Sequence, residues 1–433
     1  MEFFQELGTL VEQRWRAQHY CEEHFPELAA EILTEWSPHQ HVDPWEVIHW
    51  INTTPHIPTQ PDLGGRFGDP PITVYAGPRF HIDMYFWLDG STNIHQHAFC
   101  GAFQVHRGSS IHSRYRFHED RRVSAHFSTG QLTLEQVELL QEGEIRQIWP
   151  GRQSIHSLFH LDRPSVSTII RTYQTPNAVP QYNYQKPYFA VDTFFQDPLV
   201  AKKIQSAILL LKMPHPEVDT LIGDMIVNSD FHTVFALLEL AFNYAAPNQI
   251  EQQLGVQTGQ ERFDYFLQQA RRQHGELVDL IQPVLEENQR VYNILIRRGQ
   301  ITSNEHRFFL ALLLNVPERQ RMLDLVRQRF PDQDPVDTVT EWLEELADTQ
   351  LIGSSEPNVL GIQDLDDDYL FAVRCLLEGQ TPEQIHEAFV REYSEAYIAD
   401  LDRSVEDLVQ SIQQSLLFKA IFSSPANVSI SHR

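Results

Sequence analysis

The spacing of apolar and polar residues divides the chain into a short helical start, a strand-rich segment and a helical second half. In the first part, Asp43 is a candidate N-cap, Pro44 takes the first helical position and Glu46 places an acidic residue in the first turn, which predicts a helix through Ile51. Pro, Gly and Asp then dominate up to the first strand pattern. Residues 1–72 are therefore expected to form helices and an irregular connection that pack on the next unit.

Strand patterns dominate the following hundred residues. β-branched and aromatic residues recur in short segments, separated by turns that contain Gly, Asp or Ser. Short strands at this spacing, without long helices between them, are typical of an antiparallel sandwich or barrel. We therefore predict an antiparallel β-barrel over residues 73–190. The predicted strands are residues 73–75, 80–88, 94–105, 110–117, 123–127, 145–149 and 165–173.

Helical spacing replaces the strand pattern in the second half of the chain. Ile204, Ile208 and Leu211, for example, recur at intervals of three to four residues. The predicted fold class is α+β: a β-barrel with flanking helices, followed by a mostly α-helical C-terminal domain over residues 191–433. A candidate internal boundary lies at residues 353–361, where Gly, Ser and Pro interrupt the pattern.

Composition and charge restrict the partners. The chain carries 33 basic and 59 acidic residues, a net charge of −26, and a polyanionic surface repels phosphate backbones and anionic lipid headgroups. We therefore expect neither a nucleic-acid nor a membrane partner. Acidic residues in the first segment and the lack of a long apolar run predict a cytoplasmic protein. Three cysteines without a CxxC pair give no disulfide framework.

Histidines locate the candidate chemistry, because nine of the 21 fall between His81 and His160. His95 and His97 are two residues apart, and on a strand this spacing directs both imidazoles to the same face. A third candidate, His156, follows a proline-glycine turn, with His160 four residues further on. Neutral imidazole suits Fe, Zn, Cu, Ni and Mn, so these clusters predict a metal site.

The two clusters resemble the two motifs of the cupin superfamily. The first motif has a glycine, then HxH, usually an acidic ligand and a closing glycine; the second has a glycine, a proline-glycine turn, a histidine and an asparagine four residues later. The resemblance implies a cupin-like barrel that binds a divalent metal, and a second-shell or packing role for the histidine in place of the asparagine. The matching positions are Gly90, His95, His97 and Gly108, then Gly143, Pro150-Gly151, His156 and His160.

One departure from the motif shapes the expected chemistry. Gly101 and Ala102 stand where cupins usually place the glutamate ligand, and only Gln104 is nearby as a candidate second-shell residue. The resemblance thus implies a three-histidine site, similar to that of thiol dioxygenases in the same superfamily. Such a site leaves positions for substrate and dioxygen. We expect a non-haem Fe(II) oxygenase that oxidises a small molecule or a peptide side chain.

Two further strands carry candidate residues. Asp83 and Tyr85 would face the metal cavity if the apolar face of their strand is buried beneath helices, and Asp83 would then be a fourth ligand or a proton acceptor. His112, Arg114 and Arg116 share one strand face and would favour a carboxylate or phosphate if that face lines the barrel. In the alternative arrangement the aromatic face packs inward and the arginines are solvated.

Other functions stay open at this stage. Zinc, manganese or nickel in the same site would act as a Lewis acid in an isomerase or hydrolase. A binding module, in which the barrel senses a ligand and the helical half recognises a protein partner, is the third class. The resemblance also allows a homodimer, because cupins often pair through their sheets.

Overall fold

The protein has the α+β architecture expected from its sequence: a β-barrel region with N-terminal helices precedes a largely helical region. This arrangement is seen in a computed structural model. The candidate boundary at 353–361 lies partly outside the described residues, and the division of the chain at residues 72 and 190 stays a prediction. The structure describes residues 1–65, 67–175, 180–212, 215–245, 258–350, 355–399, 401 and 403–422.

The described strands form two sheets with antiparallel pairing. Six strands close into a barrel in the order β10-β11-β6-β5-β8-β3, and five form a second sheet in the order β1-β2-β9-β4-β7. Side chains from both sheets share a core that includes Phe103 and Leu158. The strands are β1 (Pro71–Ala76), β2 (Phe80–Trp87), β3 (His95–His97), β4 (Gly101–Arg107), β5 (Ser110–Ser124), β6 (Phe127–Leu140), β7 (Ile145–Ile148), β8 (Gly151–His160), β9 (Ser165–Thr172), β10 (Tyr182–Gln185) and β11 (Phe189–Asp192).

The helices lie before and after the strands. Asp43 caps the helix predicted at that position, because its carboxylate accepts a hydrogen bond of 2.8 Å from the backbone N–H of Trp45. None of the described helices combines the length and the apolar character that crossing a bilayer requires. The helices are α1 (Glu2–Ala17), α2 (Phe25–Trp36), α3 (Pro38–His41), α4 (Pro44–Thr53), α5 (Pro198–Leu211), α6 (Val218–Val227), α7 (Phe231–Ala245), α8 (Thr258–His274), α9 (Ile281–Arg298), α10 (Asn304–Asn315), α11 (Arg319–Arg329), α12 (Pro335–Ala347), α13 (Asp367–Glu378), α14 (Pro382–Tyr393), α15 (Glu395–Ala399), α16 (Val405–Gln414) and α17 (Lys419–Phe422), with 3-10 turns at Glu22–His24 and Gly275–Leu280.

The five-stranded sheet separates two environments. On β2, Phe80, Ile82 and Met84 point to one face and pack with the N-terminal helices in a core of their own. The alternate residues of β2 point to the other face, toward the six-stranded barrel, since successive side chains of a strand point to opposite faces. The apolar face is thus buried beneath the N-terminal helices, which leaves Asp83 and Tyr85 on the barrel side.

The C-terminal helices pack on the outside of the six-stranded barrel. Phe127 and Phe189 join one core with α5 to α9, and Ile111 and Phe159 join another with α9 to α17. Polar contacts reinforce this packing: the Arg298 guanidinium donates to the backbone carbonyl of His160. The helical region therefore covers the outside of the barrel wall.

Gly101 permits a close approach of β4 and β9. A substitution at this glycine tests how tightly these two strands pack. A Cβ atom at Gly101 would lie 2.0 Å from the backbone carbonyl oxygen of Ile170. We expect Gly101→Ala to lower the free energy of unfolding by about 1–3 kcal/mol, because one strand must shift. Gly299→Ala is the matched control, since no atom outside its chain neighbours and its own helix backbone lies within 4 Å of the position that its Cβ would take. Equal thermal midpoints for both variants would contradict this packing.

Candidate metal centre

Strand pairing brings three histidines together. β3 supplies His95 and His97, and its antiparallel pairing with β8 sets His95 opposite His156. One ring nitrogen from each of the three lies within 4.8 Å of the others. All three side chains are buried. The predicted ligands therefore converge, and among the described residues no Asp, Glu or Cys joins them in such a group.

Hydrogen bonds on the outer ring nitrogens orient two of the imidazoles. The Nδ1 atom of His95 lies 2.7 Å from the carbonyl oxygen of Asn93, and an N–H is needed to bond that acceptor. His156 uses Nδ1 to contact His112, and its Nε2 lies 2.8 Å from Nε2 of His97. The Nε2 atoms are thus left to face one another. This donor set fits a metal ion, which takes the unprotonated nitrogen of a neutral imidazole.

Burial keeps these imidazoles neutral. It lowers the pKa of His95, and it lowers the pKa values of His97 and His156 to well below the usual range, with the neighbouring histidines adding to the effect. A neutral imidazole is the form that binds a metal. An ion can therefore bind at neutral pH without the loss of an imidazolium proton, while the N–H that joins Nε2 of His97 and Nε2 of His156 moves to the other ring nitrogen.

A chain of hydrogen bonds connects His156 to a carboxylate. If Nε2 of His156 faces the metal, its Nδ1–H donates to Nε2 of His112 over 3.0 Å, and Nδ1–H of His112 donates in turn to Glu138 over 2.8 Å. Arg146 donates two further bonds to the same carboxylate. Burial raises the pKa of Glu138, but the bonds from His112 and Arg146 outweigh it and lower this pKa to about 2. Glu138 is thus a fixed anion behind the site.

The ring nitrogens line a narrow cavity whose free volume is about 50 Å³, enough for a few water-sized molecules. Its polar lining consists of the histidines with Tyr85, Thr92, Ser167 and Arg171, so no carboxylate of the described residues lines it. The rest of the wall is apolar or aromatic. These side chains are Phe67, Trp87, Phe99, Phe103, Ile148, Leu158 and Ile169.

The residues of β4 near the position of the usual cupin glutamate point in alternate directions, and none of them offers a carboxylate to the histidines. Ala102 packs toward the N-terminal helices, and Phe103 points into the cavity, with its ring centroid 6.3 Å from that of His156. Gln104 points away from the histidines, accepts a hydrogen bond from the backbone N–H of His39 and donates one to the carbonyl of Gly143. An aromatic wall therefore replaces a carboxylate, and Gln104 anchors the N-terminal helices.

Asp83 and Tyr85 lie at the edge of this cavity. Tyr85 lines it, while Asp83 faces an adjoining chamber and is not part of the histidine group. The Asp83 carboxylate accepts hydrogen bonds from Thr73 at 2.7 Å and from Tyr85 at 3.1 Å, and lies 3.1 Å from Nε2 of His81. Burial raises the pKa of Asp83, but these partners, led by His81, lower it overall. Asp83 is thus an ionised anchor for Tyr85.

The remaining candidates are spread around the site. His160 stacks on Trp87 with ring centroids 4.4 Å apart and contacts the Ser110 hydroxyl, outside the lining of the cavity. Arg116 is exposed and pairs with Glu135 at 2.5 Å.

The structure separates the three candidates on the strand face of β5. His112 lies behind His156 rather than in the cavity, while Arg114 is exposed and lines a separate surface pocket beside His112 and His156. The alternative with solvated arginines is therefore the arrangement that the structure adopts.

The sequence interpretation missed Arg171 and Glu138. Arg171 shares a face of β9 with Ser167 and Ile169, and this alternation could have been read from the predicted strand at 165–173. Glu138 gave no such signal, because its role depends on its register opposite His112 in the pairing of β5 with β6.

No family model matches the chain, and no curated protein does. A closed six-stranded antiparallel barrel with three buried, adjacent histidines is compatible with a cupin-like metal site.

Removing Glu138 tests the hydrogen-bond chain. We expect Glu138→Ala to lower the affinity for zinc or cobalt by about 10- to 100-fold, because His112 and then His156 lose their orientation. Chelator competition would measure this change. Glu144→Ala is the matched control: Glu144 also contacts Arg146, at 3.1 Å, but not His112. Equal losses of affinity in both variants would mean that charge alone, not orientation, is at work.

The buried histidines predict a pH dependence of stability. Burial lowers the pKa of His160 to about 3, whereas an unfolded histidine has a pKa of about 6.5. The unfolded chain therefore binds protons first, and this contribution to stability is lost as pH falls below about 6.5. Each such histidine removes about 1.4 kcal/mol per pH unit from the free energy of unfolding. Denaturant unfolding of the metal-free protein at several pH values between 7.5 and 5.0 gives the free energy of unfolding as a function of pH. This free energy should depend less steeply on pH in His160→Gln than in the parent, and identical pH dependences would refute the assignment.

Proposed function

We propose that this protein is a non-haem Fe(II) oxygenase that uses dioxygen to oxidise a small molecule or a peptide side chain. One observation carries the proposal: three neutral, buried imidazoles direct their Nε2 atoms into a small aromatic cavity. His95, His97 and His156 would hold the metal. When bound, Fe(II) supplies the redox chemistry that activates dioxygen, with positions left for a substrate beside it.

The side chains of the cavity suit a reaction from which water is excluded. Phe99 packs on His97 with ring centroids 4.5 Å apart, and Phe67 approaches His95 at 6.4 Å. Tyr85 remains protonated, because burial raises the pKa of its phenol, and its hydroxyl is held by Asp83. These rings cover the histidines with apolar surface, and the Tyr85 hydroxyl joins those of Thr92 and Ser167 in the wall. An apolar lining also favours the entry of a nonpolar gas over that of water.

The same lining argues against the Lewis-acid alternative. A metal-dependent hydrolase or isomerase needs a base placed to move a proton near the metal. Among the described residues that line the cavity, the candidates beside the histidines are the hydroxyls of Tyr85, Thr92 and Ser167 and the guanidinium of Arg171, none of which is a base at neutral pH. The donor set alone also suits zinc, manganese or nickel. Oxygen chemistry is the better match to the surroundings.

Metal loading with oxygen consumption tests this proposal. Protein reconstituted anaerobically with Fe(II) should contain about one iron per chain, and the His95→Ala/His97→Ala variant should contain almost none, because two of three ligands are gone. His118→Ala, an exposed histidine, is the matched control and should load like the parent.

Oxygen uptake with a panel of thiols, amino acids and small organic acids then identifies the substrate class. Uptake that requires both iron and the intact histidines supports the oxygenase. Stoichiometric zinc with no oxygen uptake would favour the Lewis-acid function, and a parent protein that retains no metal would leave a binding module.

A further inference from the structure

Arg171 is a cation at the wall of the metal cavity. Its guanidinium carbon lies 3.5 Å from the centroid of the Phe99 ring, and Nη1 donates to the Tyr85 hydroxyl at 3.3 Å. Nε donates a longer bond, 3.4 Å, to the backbone carbonyl of Thr172. These contacts fix the plane of the guanidinium. They leave Nη2 without a hydrogen bond among the described contacts.

The described part of the chain gives Arg171 no ion-pair partner: no carboxylate oxygen there lies within 4.0 Å of its nitrogens. Two buried arginines of the helical region differ from it, since Arg290 and Arg307 each pair with a carboxylate. The Asp83 carboxylate is linked to Arg171 only through the Tyr85 hydroxyl. A half-buried guanidinium that is held rigidly and has no carboxylate in direct contact retains its capacity for a bidentate contact.

Arg171 stands between two cavities. The inner one is the aromatic cavity of the histidines, and the outer one is a polar chamber with a free volume of about 370 Å³. Phe67, Tyr85 and Arg171 line both. The Phe99 ring packs on both the guanidinium and His97, and all three residues line the inner cavity. A molecule bound at Arg171 can therefore extend toward the histidines over the length of a few bonds.

We infer that Arg171 binds the carboxylate of a small organic acid whose other end enters the aromatic cavity beside the three histidines. That this acid is the substrate rests on the proposed oxygenase function. The carboxylate site itself does not require the metal. The inner cavity of about 50 Å³ limits the reacting end to a few non-hydrogen atoms.

The charges of the outer chamber favour a monoanion over a dianion. Asp83 is ionised there, with three donors around its two oxygens, one of them from His81. A phosphate with two charges would face more repulsion from this carboxylate than a monoanion does, whereas one planar carboxylate matches one guanidinium.

Calorimetry with simple carboxylates on the metal-free full-length protein is the direct test. The probes are acetate, propionate and butyrate, each beside its neutral amide, with inorganic phosphate as the dianion. We expect the carboxylates to bind at least tenfold more tightly than the amides and phosphate. Arg171→Met should abolish this preference, because it retains the length of the side chain and removes the charge, and Arg171→Lys should keep part of it.

Two further variants make the result decisive. Arg327→Met removes an exposed arginine of α11 and should bind like the parent. Tyr85→Phe keeps the wall but removes the hydroxyl that holds Nη1, so it should weaken carboxylate binding several-fold, and it serves as the test if circular dichroism shows Arg171→Met to be misfolded. Equal binding of acid and amide by the parent, or an unchanged preference in folded Arg171→Met and Tyr85→Phe, would overturn the inference.

The two proposals fail separately. Carboxylate binding by a protein that takes up no iron would sustain the Arg171 site and reject the oxygenase. Iron-dependent oxygen uptake without any preference for acids over amides would sustain the oxygenase and reject the Arg171 site.

Discussion

The pairing of β3 with β8 is the constraint on which the site depends. β3 is three residues long and contributes two of the three histidines, and its partner places the third directly opposite His95. A slip by one residue would turn every side chain of β3 to the other face. Closure of the barrel prevents such a slip, because β3 is held by β10 on its other side through Asn183. The geometry of the candidate metal centre is therefore a property of the closed barrel.

Burial of the three imidazoles keeps them neutral, as metal binding requires, but it also removes their polar atoms from water, which costs free energy. Three imidazoles without charge in an apolar cavity need partners for their outer nitrogens, since an unsatisfied polar group in such surroundings destabilises the fold. Asn93 and the chain from His112 to Glu138 supply partners for two of them. The same bonds fix which nitrogen faces the cavity. Stability of the barrel and readiness for a metal thus have one cause.

The sequence predicted the fold class and the convergence of His95, His97 and His156, because both rest on short-range patterns: strand alternation and the spacing of two within HxH. It did not predict the surroundings. Whether Arg114 or Arg171 reaches the cavity depends on which sheet covers which face, and Glu138 acts only through its register opposite His112. Alternation along one strand shows which residues share a face, but not which face meets the cavity or which residue of the neighbouring strand lies opposite.

The two faces of the five-stranded sheet explain how structure and chemistry coexist in one segment. β2 and β9 each alternate residues that pack beneath the N-terminal helices with residues that face the barrel, as Ile170 and Arg171 do. Because the apolar residues already find a core on the outer face, the inner face is free to carry Asp83, Tyr85 and Arg171. Removing a charged residue on the inner face from water costs free energy, and hydrogen bonds from neighbouring residues of the same strands offset this cost. The helices that cover the outer face therefore permit polar chemistry on the inner one.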